Sequence, residues 1–349
     1  MTLKIVCLPG DGIGPEVMEI AHLLLDVVSK RSEVQIEVSE YPVGQKAIDE
    51  TGDPLPSETL EAALDSDAVL LGAVGGRDGT WPESAVLELR KKMDVFANLR
   101  PVRAVQGVVT SFRPEVVEGT DILFLRESTA GAYFGEPKGP VEGKMRAAVD
   151  TTYYDEAQIE RAARLAFRLA QDRRSSLTSV DKANVMATSR LWRDVVNEVA
   201  TDFADVKLEH LLVDAASYLL IQQPQRFDVV LTENLFGDIL SDEAGALVGS
   251  LGLLGSATIA DSGPGLFEPV HGTAPDIAGR GIANPLGMAR TVALMFKYGL
   301  EMASESLALD ESIDRILVQG PVTPDLNPDS NAGTKQVSEA LAADFESRL

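Results

Sequence analysis

Cysteine is nearly absent from this chain. Cys7 stands alone among 349 residues, which excludes an intramolecular disulfide and any cysteine-based zinc cluster. A chain of this length buries enough apolar surface to fold without such staples. Basic charge is also scarce: 31 Lys and Arg face 54 Asp and Glu, for a net charge of −23. That balance argues against a nucleic-acid or anionic-membrane partner, whose phosphates need a basic surface. No run approaches the ~18 consecutive apolar residues of a membrane helix. The amino-terminal apolar run is too short for a secretory signal and lacks a small-residue cleavage site. With one thiol and no export signal, the expected compartment is the cytoplasm. Internal repeats, low-complexity tracts, G-x-S-x-G, a Walker lysine motif and Cys-x-x-Cys are all missing, so hydrolase, P-loop and zinc readings have no footing.

What is present is an ordinary globular composition, 45% apolar and 24% charged, at a length that predicts about two domains. Short β-branched runs alternate with longer segments of helical period. Lys4–Leu8 reads as a buried strand followed by a helix over Pro15–Lys30, with proline in its first turn. Gln35–Ser39 is strand-like, Ser57–Asp65 helical, and Ala68–Leu71 a strand closed by Gly72. Asp121–Arg126 and Arg146–Thr152 also read as strands. The clearest helix is Asp155–Asp172, with Ile159, Ala162, Ala163, Ala166, Phe167 and Ala170 on one face. Strand–helix pairs follow at Leu177–Val180 with Ser189–Phe203, Leu208–Val213 with the segment after it, and Asp228–Leu231 with Leu235–Gly249. Alternating βα units imply an α/β fold with a mostly parallel sheet covered by helices.

Several motifs carry possible chemistry. Gly10-Asp11-Gly12-Ile13-Gly14 has the spacing G-x-G-x-G rather than G-x-G-x-x-G, which favours a tight strand-to-helix turn over a dinucleotide fingerprint. Arg90 lies on a predicted helix, while Arg100 and Arg126 end extended segments. In so acidic a chain these arginines either pair with surface acids or form a positive pocket for carboxylates, which the planar guanidinium grips through two parallel hydrogen bonds. In Asn234-Leu-Phe-Gly-Asp238-Ile-Leu-Ser-Asp242, the i, i+4 spacing puts Asp238 and Asp242 on one helix face. The pair forms either a solvated acidic face or, with Asp214 as a third oxygen ligand, a site for Mg²⁺ or Mn²⁺. Lys182 follows another strand, where α/β proteins place ligands, and Tyr133 sits in a glycine-rich loop; neither is informative alone. The stretch Phe267-Glu-Pro-Val-His271-Gly-Thr-Ala-Pro-Asp276-Ile-Ala-Gly, with Asn284, reads as a loop rich in glycine and proline. Of the three histidines, His22 falls on a helix and His210 in a strand, leaving His271 in that loop.

Taken together, these segments resemble the isocitrate/isopropylmalate dehydrogenase family, from Leu8-Pro-Gly-Asp-Gly-Ile-Gly-Pro-Glu-Val17 to the Ala-Gly-Thr ending at Thr334. The strongest signatures are Asn-Leu-Phe-Gly-Asp-Ile-Leu-Ser-Asp and Glu-Pro-Val-His-Gly-Thr-Ala-Pro-Asp-Ile-Ala-Gly. The resemblance implies two α/β domains around a cleft and not a Rossmann fold. A discontinuous cofactor-side domain is expected at 1–95 plus 249–349, and a dimerisation and metal/substrate domain at 96–248. It implies a homodimer with active sites shared between subunits, so that Lys182 and Asp214 come from the partner chain. Arg90, Arg100 and Arg126 would bind malate carboxylates, and Asp214, Asp238 and Asp242 would hold the divalent ion. Lys182 would relay the hydroxyl proton and Tyr133 would protonate the carbon left after loss of CO₂. The cofactor would lie against Gly76–Glu83 and against His271, Gly272, Thr273, Ala274, Asp276, Ile277 and Asn284. Asp276 would face the adenosine ribose and repel a 2′-phosphate, which favours NAD over NADP. Glu83, Val86 and Leu87 imply a branched apolar substituent on the substrate. The implied reaction is NAD-dependent oxidative decarboxylation of (2R,3S)-3-isopropylmalate to 4-methyl-2-oxopentanoate and CO₂. Val86 stands where the family usually has leucine, which leaves room for another alkylmalate or tartrate. A regulatory subunit that has lost ligands would lack the three aspartates, Lys182 or Tyr133, and all of these are present.

Overall fold

The strand–helix alternation seen in the sequence is realised twice, in two units of the chain. The structure, a computed structural model, describes residues 2–349 apart from Asp78, Gln106 and Lys144. Unit 1 comprises Met1–Val95, Val105–Ser111 and Val248–Leu349, and unit 2 comprises Phe96–Ala104 and Phe112–Leu247.

Unit 1 begins with β1 (Thr2–Gly10), α1 (Gly14–Arg31), β2 (Gln35–Glu40), α2 (Gln45–Thr51), α3 (Ser57–Leu64), β3 (Ala68–Ala73) and α4 (Ser84–Lys92). Unit 2 follows with β4 (Ala97–Arg103), α5 (Pro114–Val117), β5 (Asp121–Glu127), β6 (Gly139–Val141), β7 (Ala147–Val149), α6 (Glu156–Gln171), β8 (Ser176–Asp181), α7 (Ala187–Ala200), β9 (Lys207–Leu212), α8 (Val213–Gln222), β10 (Val229–Thr232) and α9 (Asn234–Gly245). The chain then completes unit 1 with β11 (Gly255–Ile259), β12 (Gly265–Pro269), α10 (Leu286–Tyr298), α11 (Ala303–Gln319) and α12 (Thr334–Glu346).

In unit 1 the strands run β2-β1-β3-β12-β11, parallel except for the antiparallel β11–β12 pair. Alternation along the strands sends Val6, Leu8, Val69, Leu71 and Leu266 to one face, where they meet Ala63 of α3 and Ala85 and Leu89 of α4. The other face is covered by α1 and α10. Cys7 is buried there, and burial pushes its thiol up to about 12. β12 corrects the sequence reading: Phe267, Glu268 and Pro269 are strand residues, with the part from Val270 onward irregular. Five residues between two neighbouring strands are too few to show a period, so the strand was masked by the glycines around it.

In unit 2 the order is β4-β5-β10-β8-β9, with β4 antiparallel to β5 and the rest parallel. α6 is fixed at its start by a capping box: Asp155 Oδ1 accepts the Gln158 N–H (2.9 Å), and Gln158 Oε1 accepts the Asp155 N–H (3.0 Å). Its apolar stripe is buried as its periodicity requires. The strand expected over Arg146–Thr152 is shorter, because β7 pairs only with β6 in an exposed two-stranded ribbon. The helix expected over Leu235–Gly249 ends at Gly245 and tightens into a 3₁₀ turn over Ala246–Val248. No helix of the described residues is long and apolar enough to cross a membrane.

Candidate functional site

Charged groups of unit 2 gather beside β4 and β5; Arg126 stands near the end of β5 as expected, whereas Arg100 sits in the middle of β4 rather than at its end. Arg100 on β4 and Arg126 on β5 are antiparallel neighbours, with Asn98 opposite Arg126 and Arg100 opposite Phe124. Both guanidiniums are buried, at 7% and 2% exposure. A buried cation requires a counter-charge, and α9 supplies two. Arg100 Nη1 donates to Asp242 Oδ1 (2.8 Å) and to Ser241 Oγ (2.9 Å), and its Nη2 donates to Asp238 Oδ1 (3.2 Å). Asn98 Oδ1 accepts from Arg100 Nε (2.7 Å), which fixes the plane of the fork. Arg126 Nη1 also pairs with Asp238, and Tyr133 Oη donates to Asp238 Oδ2 (2.7 Å) from a 3₁₀ turn over Gly131–Tyr133. The Arg126 guanidinium lies over the Tyr133 ring, 5.4 Å from its centroid.

Asp238 and Asp242 thus share one face of α9, as their spacing predicted, and each meets an arginine, Asp238 partly buried and Asp242 with its side chain still 49% exposed. Burial raises the Asp242 carboxyl above its ordinary range; Arg100 opposes that shift and Asp238 adds to it. Gly237 lets α9 approach β5, since a Cβ there would stand 2.8 Å from both Cβ and Cγ of Arg126. Sequence reasoning quoted Asn234 only as the first letter of a motif. In the structure it is fully buried and its Oδ1 accepts from Arg126 Nε (2.9 Å) and Nη2 (2.7 Å).

Lys182 and Asp214 form a separate pair in unit 2, Nζ to Oδ1, at the ends of β8 and β9. The Lys182 ammonium holds the Asp214 carboxyl below its ordinary range through their hydrogen bond. Behind Lys182, buried Asp181 accepts Arg193 Nε (2.8 Å) and Nη2 (2.9 Å) and the Ala183 N–H (2.9 Å). Among the described residues, no group of three or more His, Cys, Asp or Glu is arranged to hold a metal within one chain.

The remaining candidates belong to unit 1. Glu83 is exposed at the start of α4, with Val86 and Leu87 half-buried after it. Arg90, on the last turn of α4, is buried and donates from Nη2 to Glu268 Oε1 on β12 (2.5 Å). The Gly10–Gly14 turn packs against the His271 loop, with Ile13 N–H donating to Thr273 O (2.9 Å). Asp11 is structural: its carboxylate accepts the backbone N–H of Gln45 (2.9 Å), Lys46 (3.0 Å) and Gly75 (3.2 Å). Gln45 in turn accepts from Thr80 Oγ1 (2.7 Å) and Arg77 N–H (3.3 Å), so α2 holds the segment that contains Gly76. A Cβ on Gly75 would lie 3.0 Å from Thr273 Cγ2 and 3.6 Å from Glu83 Oε1, which places Glu83 and Thr273 beside one stretch of backbone. Ala274 takes a φ of +39°, and Gly272 and Asp276 are exposed. Ile277 donates its N–H to Ala274 O (3.1 Å), which tightens that loop into a turn. Burial lowers the His271 imidazole pKa. Its Nδ1 lies 3.0 Å from Gly272 O, so Nδ1 carries the proton and Nε2 is an acceptor with no partner among the described residues. Asn284 is occupied: its Nδ2 donates to Asp325 Oδ2 (3.0 Å) and its Oδ1 accepts the Leu286 N–H (3.0 Å).

Comparison with known proteins sets this chemistry in context. The sequence profile of the isocitrate/isopropylmalate dehydrogenase family matches residues 4–341. The chain is 46% identical to a 3-isopropylmalate dehydrogenase from Synechococcus sp. (strain JA-2-3B'a(2-13)), over 98% of this chain and 95% of that one. It is 46% identical to a 3-isopropylmalate dehydrogenase from Aquifex aeolicus, over 98% and 97% of the two chains. A crystal structure of isocitrate dehydrogenase from Methylococcus capsulatus superposes with a TM-score of 0.91 at 34% identity, covering 99% of each chain. With the profile spanning nearly the whole sequence, the chain belongs to the isocitrate/isopropylmalate dehydrogenase family.

Proposed function

We propose that this protein is a decarboxylating dehydrogenase of leucine biosynthesis that converts (2R,3S)-3-isopropylmalate to 4-methyl-2-oxopentanoate and CO₂. The observation that carries the reading is the convergence of Arg100, Arg126, Tyr133, Asp238 and Asp242 where α9 packs on β4 and β5 of unit 2. Two buried arginines suit a substrate with two carboxylates, each of which takes a planar fork.

The donor set fits a hard divalent ion. Asp238 and Asp242 offer carboxylate oxygens one helical turn apart, and the Asp242 side chain, 49% exposed, is open to a cation. These two would hold Mg²⁺ or Mn²⁺, with Asp214 contributed by a second copy of the chain. The His271 loop fits a nucleotide: its buried, unpartnered Nε2 can accept from a base, and exposed Asp276 favours ribose hydroxyls over a 2′-phosphate, hence NAD. Gly76, Glu83, Gly272, Thr273, Ala274, Ile277 and Asn284 would line or shape that side. When bound, the cation supplies positive charge at the substrate hydroxyl oxygen and NAD supplies the hydride acceptor.

The chain's own residues do the rest. Arg90, Arg100 and Arg126 are the residues that would bind the malate carboxylates, as the family resemblance implies. Lys182, contributed with Asp214 by the second copy, takes the hydroxyl proton and passes it on. Tyr133 delivers a proton to the carbon from which CO₂ departs. Val86 and Leu87 receive the isopropyl group, and the Glu83 carboxylate disfavours substrates with a third carboxylate there. A homodimer is supported by Tyr218 on α8 and Ile239 on α9, which are 65% and 58% exposed on packed helices.

The test is nicotinamide reduction with 3-isopropylmalate, isocitrate, homoisocitrate, malate and tartrate, each with Mg²⁺ and with EDTA. The expected result is a signal strongest with 3-isopropylmalate and lost in EDTA. Preference for another malate would overturn the reading of Glu83, Val86 and Leu87. Silence with all five from folded dimeric protein would overturn the activity.

A further inference from the structure

We propose that Asn234 and Tyr154 are positioning residues for Arg126, setting the angle at which its guanidinium meets a substrate carboxylate. The inference rests on the activity proposed above.

Asn234 opens α9, yet its side chain does not cap the helix. Glu233 does that, accepting the Phe236 N–H (2.6 Å). The Asn234 amide turns inward, where Oδ1 receives both Nε and Nη2 of Arg126. Its Nδ2 donates to Ala130 O (2.9 Å), so the amide cannot flip without setting its donors against the guanidinium. Its backbone N–H donates to Tyr154 Oη (2.9 Å). The Tyr154 ring is buried and stands edge-on to Trp192, with centroids 5.5 Å apart and planes at 83°. Because that hydroxyl accepts from Asn234, its own proton points elsewhere, and the Glu127 carboxyl lies close enough to interact with it. The buried Glu127 carboxylate also accepts the N–H groups of Thr129 (2.9 Å) and Ala130 (3.0 Å), closing the network on the carbonyl that holds Asn234.

The chemistry explains why an amide stands here. Arg126 already shares its charge with Asp238. A carboxylate at position 234 would orient the guanidinium equally well but cancel the positive charge that an incoming carboxylate needs. A neutral acceptor orients without neutralising. In a buried network every member must be satisfied, so a lost partner is felt at the far end.

The experiment is steady-state kinetics of the full-length enzyme with 3-isopropylmalate, NAD and Mg²⁺. It compares the parent with Asn234→Ala, Asn234→Asp, Tyr154→Phe, Arg126→Lys, and the Asn234→Ala/Arg126→Lys double variant. Asn234→Ala is expected to raise KM for 3-isopropylmalate about 10- to 100-fold, the range for a hydrogen bond to a charged group, with KM for NAD unchanged. Asn234→Asp should raise it at least as far through the added charge. Tyr154→Phe keeps the ring against Trp192 and removes only the hydroxyl, so a rise of about threefold to tenfold is expected even if the Asn234 variants fold poorly. The double variant should be little worse than Arg126→Lys alone, because Asn234 acts through that side chain. Equal rises in both KM values, or additive effects in the double variant, would reduce Asn234 to a structural role and overturn the inference. A parent enzyme inactive on every substrate named above would remove the activity and the positioning role together, an outcome distinct from those of the variants.

Discussion

Gly237→Ala tests the packing on which the arginine cluster depends. In an isolated helix the change is favourable by about 1 kcal/mol, because alanine loses less backbone entropy. Here the new methyl would stand 2.8 Å from Cβ and Cγ of Arg126, on a β5 side chain that is only 2% exposed, and closer still to Thr232 Oγ1. Neither neighbour is the free end of a flexible chain. Overpacking costs about 1–3 kcal/mol, and with three atoms at 2.8 Å or less this site falls in the upper half of that range, about 2–3, so after the propensity gain of about 1 kcal/mol a net destabilisation of about 1–2 kcal/mol is expected. Urea unfolding of the apoprotein followed by far-UV circular dichroism measures it directly. Gly143→Ala is the control: among the described residues its Cβ meets only Met145 O at 3.8 Å, so that variant should equal the parent or exceed it slightly. The push falls on the Arg126 stem, so KM for 3-isopropylmalate should rise while KM for NAD holds. A Gly237→Ala midpoint at or above the parent's, with unchanged KM, would refute the close approach of α9 to β5.

Two further outcomes follow from the same contacts. Burial, reinforced by Arg193, holds the His210 imidazole below its ordinary 6.5, so the unfolded chain takes up that proton first on acidification. Stability is therefore full above pH 6.5 and falls as pH drops from there towards the lowered folded value, with His271 contributing in the same direction. His210→Gln keeps a donor for Asn197 Oδ1 and should flatten the urea-midpoint profile in that window; an unchanged profile would count against the assignment. Asp11→Ala strands the backbone N–H groups of Gln45, Lys46 and Gly75. It should raise KM for NAD about tenfold and speed proteolysis around Gly76–Glu83, with KM for 3-isopropylmalate much less affected; equal effects on both substrates would contradict it.

The parts legible in the sequence were those with a strong local signal. α6 announced itself through a six-residue apolar stripe, and the structure adds a capping box at its start. The turn reading of Gly10–Gly14 held because Asp11 and Gly12 are committed to neighbouring backbone rather than left open. α10 gave no such signal: ten of its 13 residues are buried, so no polar face interrupts the apolar run, and glycine-rich loops precede it. α2 is too short for periodicity and exists because Asp11, 34 residues earlier, caps its first N–H. At the site, the i, i+4 aspartates were readable because a helix fixes their spacing. Their partners were not. Arg100 and Arg126 reach Asp238 across 138 and 112 residues, and only tertiary structure creates that proximity. Asn234 and Tyr154 were missed for the same reason, since an asparagine at a helix start reads as a cap. The one usable hint was that Glu233 precedes it and can cap in its place.

The division of unit 1 between the two ends of the chain has a consequence for synthesis. β3, buried along its whole length, ends at Ala73, while its partner β12 begins only at Gly265. A ribosome therefore releases β1, β2 and β3 long before the strand that covers the open edge of β3, and all of unit 2 emerges in the interval. Through that wait, Ala-Val-Leu-Leu-Gly-Ala presents unpaired backbone and apolar side chains, a template for pairing with other nascent chains. Unit 2 is free of this delay from β5 onward, so it can mature first while the amino-terminal half of unit 1 keeps an open sheet edge until its last hundred residues arrive.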